Sequence, residues 1–311
     1  MSGSQQKPPS KDQTGRYTIG GTVAHAPALA PGLYLVATPI GNLRDVTIRA
    51  LEILAAADLI ACEDTRISRK LLDHYGINTP LTPYHDHNAA AARPKLLDKI
   101  AAGSAVALIS DAGTPLISDP GYKLVRAVYD AGCAVTAAPG ASAVLAALNV
   151  AGLPTDRFLF EGFLPSKQIA RRARIAELSR IPATLVFYET GPRIAETLAD
   201  LGAAFGGREA AVCRELTKMY EEVRRGDLLT LADKFAESEP RGEIVVIVAP
   251  PPVDADKSNE HDLDDLLRAA LTRVSLKDAV AEVAAVTGWS RRDVYNRALE
   301  LKTDQRDAAT D

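Results

Sequence analysis

Five short segments concentrate the residues that could do chemistry. They are TPIGN (38–42), EDTR (63–66), HDHN (85–88), SDAGTP (110–115) and PGAS (139–142). Each mixes turn-forming residues with carboxylates, hydroxyls, an amide or imidazoles. None has the form of a phosphate cradle. The first segment lacks GxGxxG, and GxxxxGK[ST] is absent from the chain. Glu63 and Asp64 stand about twenty residues past the first segment, where a dinucleotide fold carries its ribose-binding acid. Without the glycines that reading is weak. A Gly/Ser/Asp loop with free backbone N–H groups suits a carboxylate- or hydroxyl-bearing small molecule better. His85 and His87 flank Asp86 without a third ligand at metal spacing, so they read as organisers of a loop and no metal is expected.

The elements that must position these segments are short apolar runs alternating with amphipathic stretches. Strands are expected at 33–38, 58–62, 81–85, 105–110 and 133–138. Helices are expected near 46–57, 66–75, 89–102, 120–131 and 141–150. Near-continuous apolar strands alternating with helices mean a mainly parallel sheet covered on both faces. Right-handed crossovers place every carboxyl end on one edge, so the five segments share one crevice. Turn chemistry alone explains one such loop comfortably and five poorly.

A second α/β run follows residue 152, with strands at 157–163, 184–190, 209–216 and 243–250, helices near 168–179, 192–204 and 228–237, and a possible added strand at 221–226. Residues 251–261 read as a Pro/Asp linker. Residues 262–311 read as a three-helix unit. Ser275 with Asp278, and Ser290 with Asp293, mark two helix starts, and Gly288 marks a helix end. The last two helices are then joined as in a helix-turn-helix. Residues 1–30, rich in Gln, Lys, Pro, Ser and Ala, read as a disordered arm without the apolar core of a secretory signal.

Composition sets outer limits. The chain has 311 residues, a net charge of −4 and 47% hydrophobic residues. That is an ordinary globular balance for about two domains. No apolar run approaches the roughly 18–20 residues of a membrane span. The three Cys, at 62, 133 and 213, are far apart, which fits buried thiols in a reducing, cytoplasmic setting. The acidic balance excludes binding nucleic acid by bulk charge.

The segments 33–66, HDHN, SDAGTPLISDPG, PGASA, TLVFYET and RELTKMYEEVRRG resemble the tetrapyrrole-methylase-type S-adenosylmethionine methyltransferases. Within that family the likeness is greatest to the branch acting on small-subunit ribosomal RNA. Siblings acting on corrin precursors carry a more glycine-rich first loop, where this chain has Pro39-Ile40-Gly41-Asn42. The likeness runs from about 33 to 250 and continues in the C-terminal helices. It implies an α/β fold of two α/β domains, 31–152 and 153–250, with the methyl donor in the cleft between them, plus the small helical unit. It implies S-adenosylmethionine as methyl donor, a homodimer, and transfer to the ribose 2′-hydroxyl of a decoding-centre cytidine, within the 30S particle.

Carried over residue by residue, Pro39 and Gly41, then Ser110, Asp111, Ala112, Gly113, Thr114 and Pro115, would line the donor. Ser142 joins them, and Tyr188, Glu189, Leu216 and Thr217 close the site from the second domain. The hydroxyl must lose a proton. Asp64 and Glu63, at the end of the second strand, are the first candidates to accept it. The competing reading pairs one of them with Arg66 and gives it only a loop to shape. Lys218 either contacts substrate or closes a surface salt bridge.

Contacts to RNA must come from local clusters. Lys167, Arg171, Arg172 and Arg174 crowd one helix, with 167, 171 and 174 on a common face. The alternative is a solvated helix surface. Arg66 stands at the crevice, and Arg291 and Arg292 open the last helix, the end that usually meets nucleic acid. Acidic residues outnumber basic ones beyond 262, so that unit equally suits a dimer or protein contact. Two further functions stand beside the leading one. They are methylation of a tetrapyrrole precursor and a non-enzymatic nucleic-acid-binding regulator, which leaves the crevice loops without purpose.

Overall fold

The computed structural model describes residues 15–237, 240–252, 260–287 and 289–307. The chain divides into one compact unit through Pro250 and another from Pro251. The first unit holds two five-stranded sheets.

In the first sheet, β3 (Gly32–Val36), β4 (Leu59–Cys62), β5 (Leu81–Pro83), β6 (Ala105–Ile109) and β7 (Val135–Ala138) run parallel in the order β5-β4-β6-β3-β7. All five residues of β6 are buried, as a central strand covered on both faces requires. The helices α1 (Ile48–Ala56), α2 (Thr65–His74), α3 (Ala89–Ala101), α4 (Tyr122–Asp130) and α5 (Ala143–Ala151) alternate with the strands. Three of these helices start on side-chain caps. Thr47, Asp64 and Ser142 accept backbone N–H groups of the first turn. The order places β3 beside β6, so the loops after these two strands emerge next to each other at the switch point.

The second sheet is mixed. Strands β8 (Phe158–Phe163) and β9 (Thr184–Thr190) are parallel. The others are antiparallel: β10 (Glu209–Arg214), β11 (Glu222–Asp227) and β12 (Glu243–Val248), in the order β11-β10-β12-β9-β8. The added strand at 221–226 is β11. Helices α6 (Gln168–Leu178), α7 (Ile194–Phe205) and α8 (Leu228–Glu237) pack on it around Phe187, Leu198, Leu201 and Val246. Helix α5 buries Ala147 and Leu148 with Val186, Ala211 and Ile247, so an apolar layer joins the two sheets.

The expected disordered arm is corrected from residue 15 onward. Residues Arg16–Ile19 (β1) and Thr22–His25 (β2) form an antiparallel hairpin across Gly20-Gly21, both at positive φ. Tyr17 is buried in the first core, and Thr18 N–H donates to the Tyr75 carbonyl. Burial of one aromatic and main-chain pairing to the body of the unit are what order it. Residues 1–14 lie outside the described residues, as does most of the expected linker at 253–259.

The second unit has its own core. Helices α9 (Glu260–Leu271), α10 (Leu276–Thr287) and α11 (Arg291–Asp307) bury Leu263, Leu267, Val283, Val294 and Ala298 together. Ser275 and Ser290 each accept the N–H three residues on and donate to the Asp carboxylate there. Arg297 closes a two-pronged contact on Asp264, at 2.8 Å each, that fixes α11 to α9. The expected helix end at Gly288 lies outside the described residues.

Candidate functional site

The loops after β3 and β6 are stitched together by backbone. Thr38 and Gly113 exchange both main-chain hydrogen bonds, at 2.9 and 3.0 Å. The Thr38 hydroxyl donates to the Ser110 carbonyl, and the Thr114 hydroxyl to Ala141 in the loop after β7. Gly113 has φ +81, and a Cβ there would lie 3.2 Å from Ile40 Cγ2. Glycine is therefore needed both for the turn and for the close approach. From the second sheet, the Thr217 hydroxyl accepts the Asn42 N–H, and the stem of Lys218 crosses Gly41.

Among the described residues, the non-glycine residues with positive φ are Leu116, Ser118, Glu215 and Thr217. All four lie in the segments after β6 and β10. Left-handed backbone is costly for residues with a Cβ, and its concentration here marks loops held in shape for a purpose.

These loops enclose two adjoining cavities. The first, of about 280 Å³, lies between the loops after β6 and β7 and the second sheet. Asp111, Ala112, Gly113, Thr114, Ser142, Tyr188, Glu189 and Leu216, residues the resemblance assigns to the donor, line it. The second, of about 340 Å³, lies against α2 and takes Pro39, Gly41, Ser110 and Lys218. Ile40, Asp111, Ala112 and Glu243 belong to both walls. Pro115 and Thr217 line neither, although Thr217 ties the loops together. Asp119 and Glu243 in the first cavity went unnoticed in the sequence. For Asp119 a signal existed, because Ser-Asp recurs at 110–111 and 118–119.

The first cavity is acidic. Asp111, Asp119, Glu189 and Glu243 line it, and no Lys or Arg does. Burial, then the nearby Glu63 carboxylate, pushes Asp119 up to about 6. Burial raises Asp111 as well, although its Oδ1 accepts the Asp64 N–H at 3.0 Å. Glu63 is raised by burial and by Asp111, but it lines neither cavity. Burial, reinforced by Asp119, pushes Tyr188 up to about 12. Glu189 is 2% exposed, and its carboxylate accepts from the Thr197 hydroxyl and the Thr190 N–H.

Asp64 behaves differently. Its carboxylate caps α2 through the Arg66 N–H and grips the Arg66 guanidinium, 2.6 Å away at the closest. Those bonds hold it down at about 2. So firmly ionised a carboxylate is a poor proton acceptor, and the geometry is that of the loop-shaping alternative. Lys218 bridges Glu215 at 2.9 Å and Glu243 at 2.8 Å, inside the wall of the second cavity rather than at a remote surface.

The basic helix requires a correction. Arg171 is 1% exposed, bonded to Asp200 at 2.7 Å and Glu196 at 3.2 Å, and cannot reach a phosphate. Arg172 also pairs with Asp200, and Arg174 with Glu161 and Glu177. The carboxylates that neutralise this helix come largely from β8 and α7, so a local count of charge overstated its positive face. Lys167, Arg66, Arg291 and Arg292 are exposed.

Comparison with known proteins decides the family. The model of the Tetrapyrrole (Corrin/Porphyrin) Methylases matches residues 32–232. The chain belongs to the tetrapyrrole methylase family. A second model, the RsmI C-terminal HTH domain, matches residues 257–302. The chain is similar to ribosomal RNA small subunit methyltransferase I of Mesorhizobium japonicum, 53% identical over 91% of this chain and 97% of that protein. The like-named protein of Escherichia coli O157:H7 is 46% identical over 86% and 94%. Among solved structures, diphthine synthase has a TM-score of 0.55 at 17% identity, covering 70% of this chain and 89% of that one. Uroporphyrin-III C-methyltransferase from Thermus thermophilus, solved with S-adenyl homocysteine, has a TM-score of 0.50 at 20% identity, covering 70% and 97%. Such a tetrapyrrole methylase is a methyltransferase with S-adenosylmethionine as donor. The first cavity fits that group: Lys218 engages Glu243 and Arg193 lies 3.4 Å from Glu189, but Asp111 and Asp119 line a wall that holds no Lys or Arg and complement a sulfonium. No helix among the described residues is long and apolar enough to cross a membrane.

Proposed function

We propose that this chain methylates the ribose 2′-hydroxyl of a decoding-centre cytidine in 16S ribosomal RNA, as a cytoplasmic homodimer acting on the 30S particle. The observation that carries the reading is near-full-length similarity to ribosomal RNA methyltransferases, C-terminal unit included. Residues 31–152 are its donor domain and 153–250 the second. In the reaction the sulfur–methyl bond breaks as the oxygen–methyl bond forms. The sulfonium becomes a neutral thioether, and the hydroxyl proton passes to a base. Positioning supplies most of the acceleration. Glu63, Asp111 and Asp119 are carboxylates with raised pKa values, and the acceptor of the proton belongs to this cluster rather than to Asp64. Arg66, Lys167, Arg291 and Arg292 are the exposed cations for RNA phosphates.

The test is transfer of labelled methyl from S-adenosylmethionine to 30S particles or rRNA, followed by mapping of the label. Label on ribose is expected. Transfer to a tetrapyrrole precursor and none to RNA would overturn the reading. Failure to bind the donor in calorimetry would remove both.

A further inference from the structure

The donor occupies one of two cavities, and a transfer reaction needs a place for the acceptor. The second cavity differs from the first in charge and in one buried polar group.

Its charge is balanced where that of the first is acidic. Lys70 and Lys218 line it with Asp111 and Glu243, Lys218 being held by Glu215 and Glu243, and the exposed Arg66, paired with Asp64, stands in the first turn of α2. The first cavity has no cation in its wall. A sulfonium is favoured in the first, and a phosphodiester is repelled less in the second.

Its mouth suits a base. Leu43 and Ile67 are large aliphatic side chains, 37% and 43% exposed, and both face this cavity. A base taken out of its stack can be held between apolar side chains.

Its floor contains a weakly met hydrogen bond. Ser68 lines the cavity and is 3% exposed, and its hydroxyl finds no nitrogen or oxygen partner, only the weak Cys62 thiol. A helical serine can return its hydroxyl to the carbonyl four residues back. Here the Asp64 carbonyl receives the Ser68 N–H instead. A buried hydroxyl so weakly held gains from the stronger partner a ligand supplies.

From the shared wall, the apolar mouth, the balanced charge and the weakly held serine, we infer that the second cavity is the acceptor subsite. It takes one unpaired nucleotide, base between Leu43 and Ile67, with the Ser68 hydroxyl bonded to a polar edge of the base. The ribose then rests where the two cavities meet, beside Ile40, Asp111 and Ala112, with its hydroxyl in contact with the donor methyl. Lys70 and Lys218 hold the flanking phosphates. This assignment rests on the reading of the chain as an RNA methyltransferase.

Two variants of the full chain test it, with donor affinity measured by calorimetry and kcat/KM measured on 30S particles. Ser68→Ala removes only the hydroxyl, and about a tenfold loss of kcat/KM is expected. Ile67→Glu alters an exposed position, so folding is preserved, while a carboxylate now opposes the nucleotide. A loss of roughly 100-fold or more is expected. In both, donor affinity stays within about twofold of the parent chain, a margin small beside a tenfold effect of 1.36 kcal/mol. Wild-type transfer with both variants unimpaired overturns the assignment and leaves the proposed function standing. Loss of donor affinity in step with loss of transfer assigns the cavity to the donor instead and also overturns it. Absence of wild-type transfer to RNA overturns the functional reading on which it rests.

Discussion

Replacement of Arg171 by Ala separates a structural arginine from an RNA-binding one. Its side chain is 1% exposed, and its Nε lies 2.7 Å from Asp200 Oδ2, itself 2% exposed. Removing one partner of a buried ion pair leaves an uncompensated charge and typically costs about 3–5 kcal/mol. Here the remaining carboxylate keeps Arg172, whose Nε is 2.7 Å from Oδ1. The lower end, about 3 kcal/mol, is therefore expected for Arg171→Ala. The same change at Arg172 removes a side chain 61% exposed, so a loss below about 1 kcal/mol is expected. Burial works against the charge on Asp200, but bonds from Arg172 and Arg171 hold its carboxyl below the usual range. A depressed folded-state value means stability present above the unfolded pKa of about 3.9 and lost as pH falls through the folded value. The difference between parent and Arg171→Ala should accordingly shrink below about pH 4. Urea unfolding followed by two probes, repeated across pH, measures each quantity. Equal small losses at 171 and 172 would refute the argument from burial. So would an Arg171→Ala protein of normal stability whose 30S binding had lost salt dependence.

Two further expectations concern the crevice. Asp119 titrates near 6, and its ionised form attracts the cationic donor, so donor affinity should fall as pH drops through that value. Calorimetry from pH 5 to 8 checks this, and Asp119→Asn should flatten the profile at the lower affinity. Asp64→Asn keeps a helix-capping side chain and should retain transfer within a few-fold, whereas Asp64→Ala should lose about 1 kcal/mol of stability. A loss of transfer with unchanged stability in Asp64→Asn would restore Asp64 as the base.

The first sheet was legible because its strands are short, mostly apolar runs, each followed by a polar turn segment. The same segments disclosed most of the first cavity, since a parallel sheet sends all of them to one edge. The second cavity was not legible. Its walls combine α2, the loop after β3 and Lys218, residues that no local pattern joins. Arg171 was misread for the same reason, as Asp200 follows 29 positions later on another helix. The hairpin at 16–25 carried a signal in Gly20-Gly21 between two short alternating stretches. Flanks rich in polar residues, glycine and proline concealed it.

The left-handed residues beside the cavities have a consequence for how this protein tolerates change. Glycine at Leu116, Ser118, Glu215 or Thr217 would relieve roughly 1–2 kcal/mol of steric conflict per position. Selection for thermal resistance alone would therefore favour glycine at these four places in the loops after β6 and β10. Each such gain would enlarge the range of shapes the loop adopts. Heat-hardened descendants of this chain should accumulate their substitutions in α7, α8 and the C-terminal helices, and leave these four positions as they are.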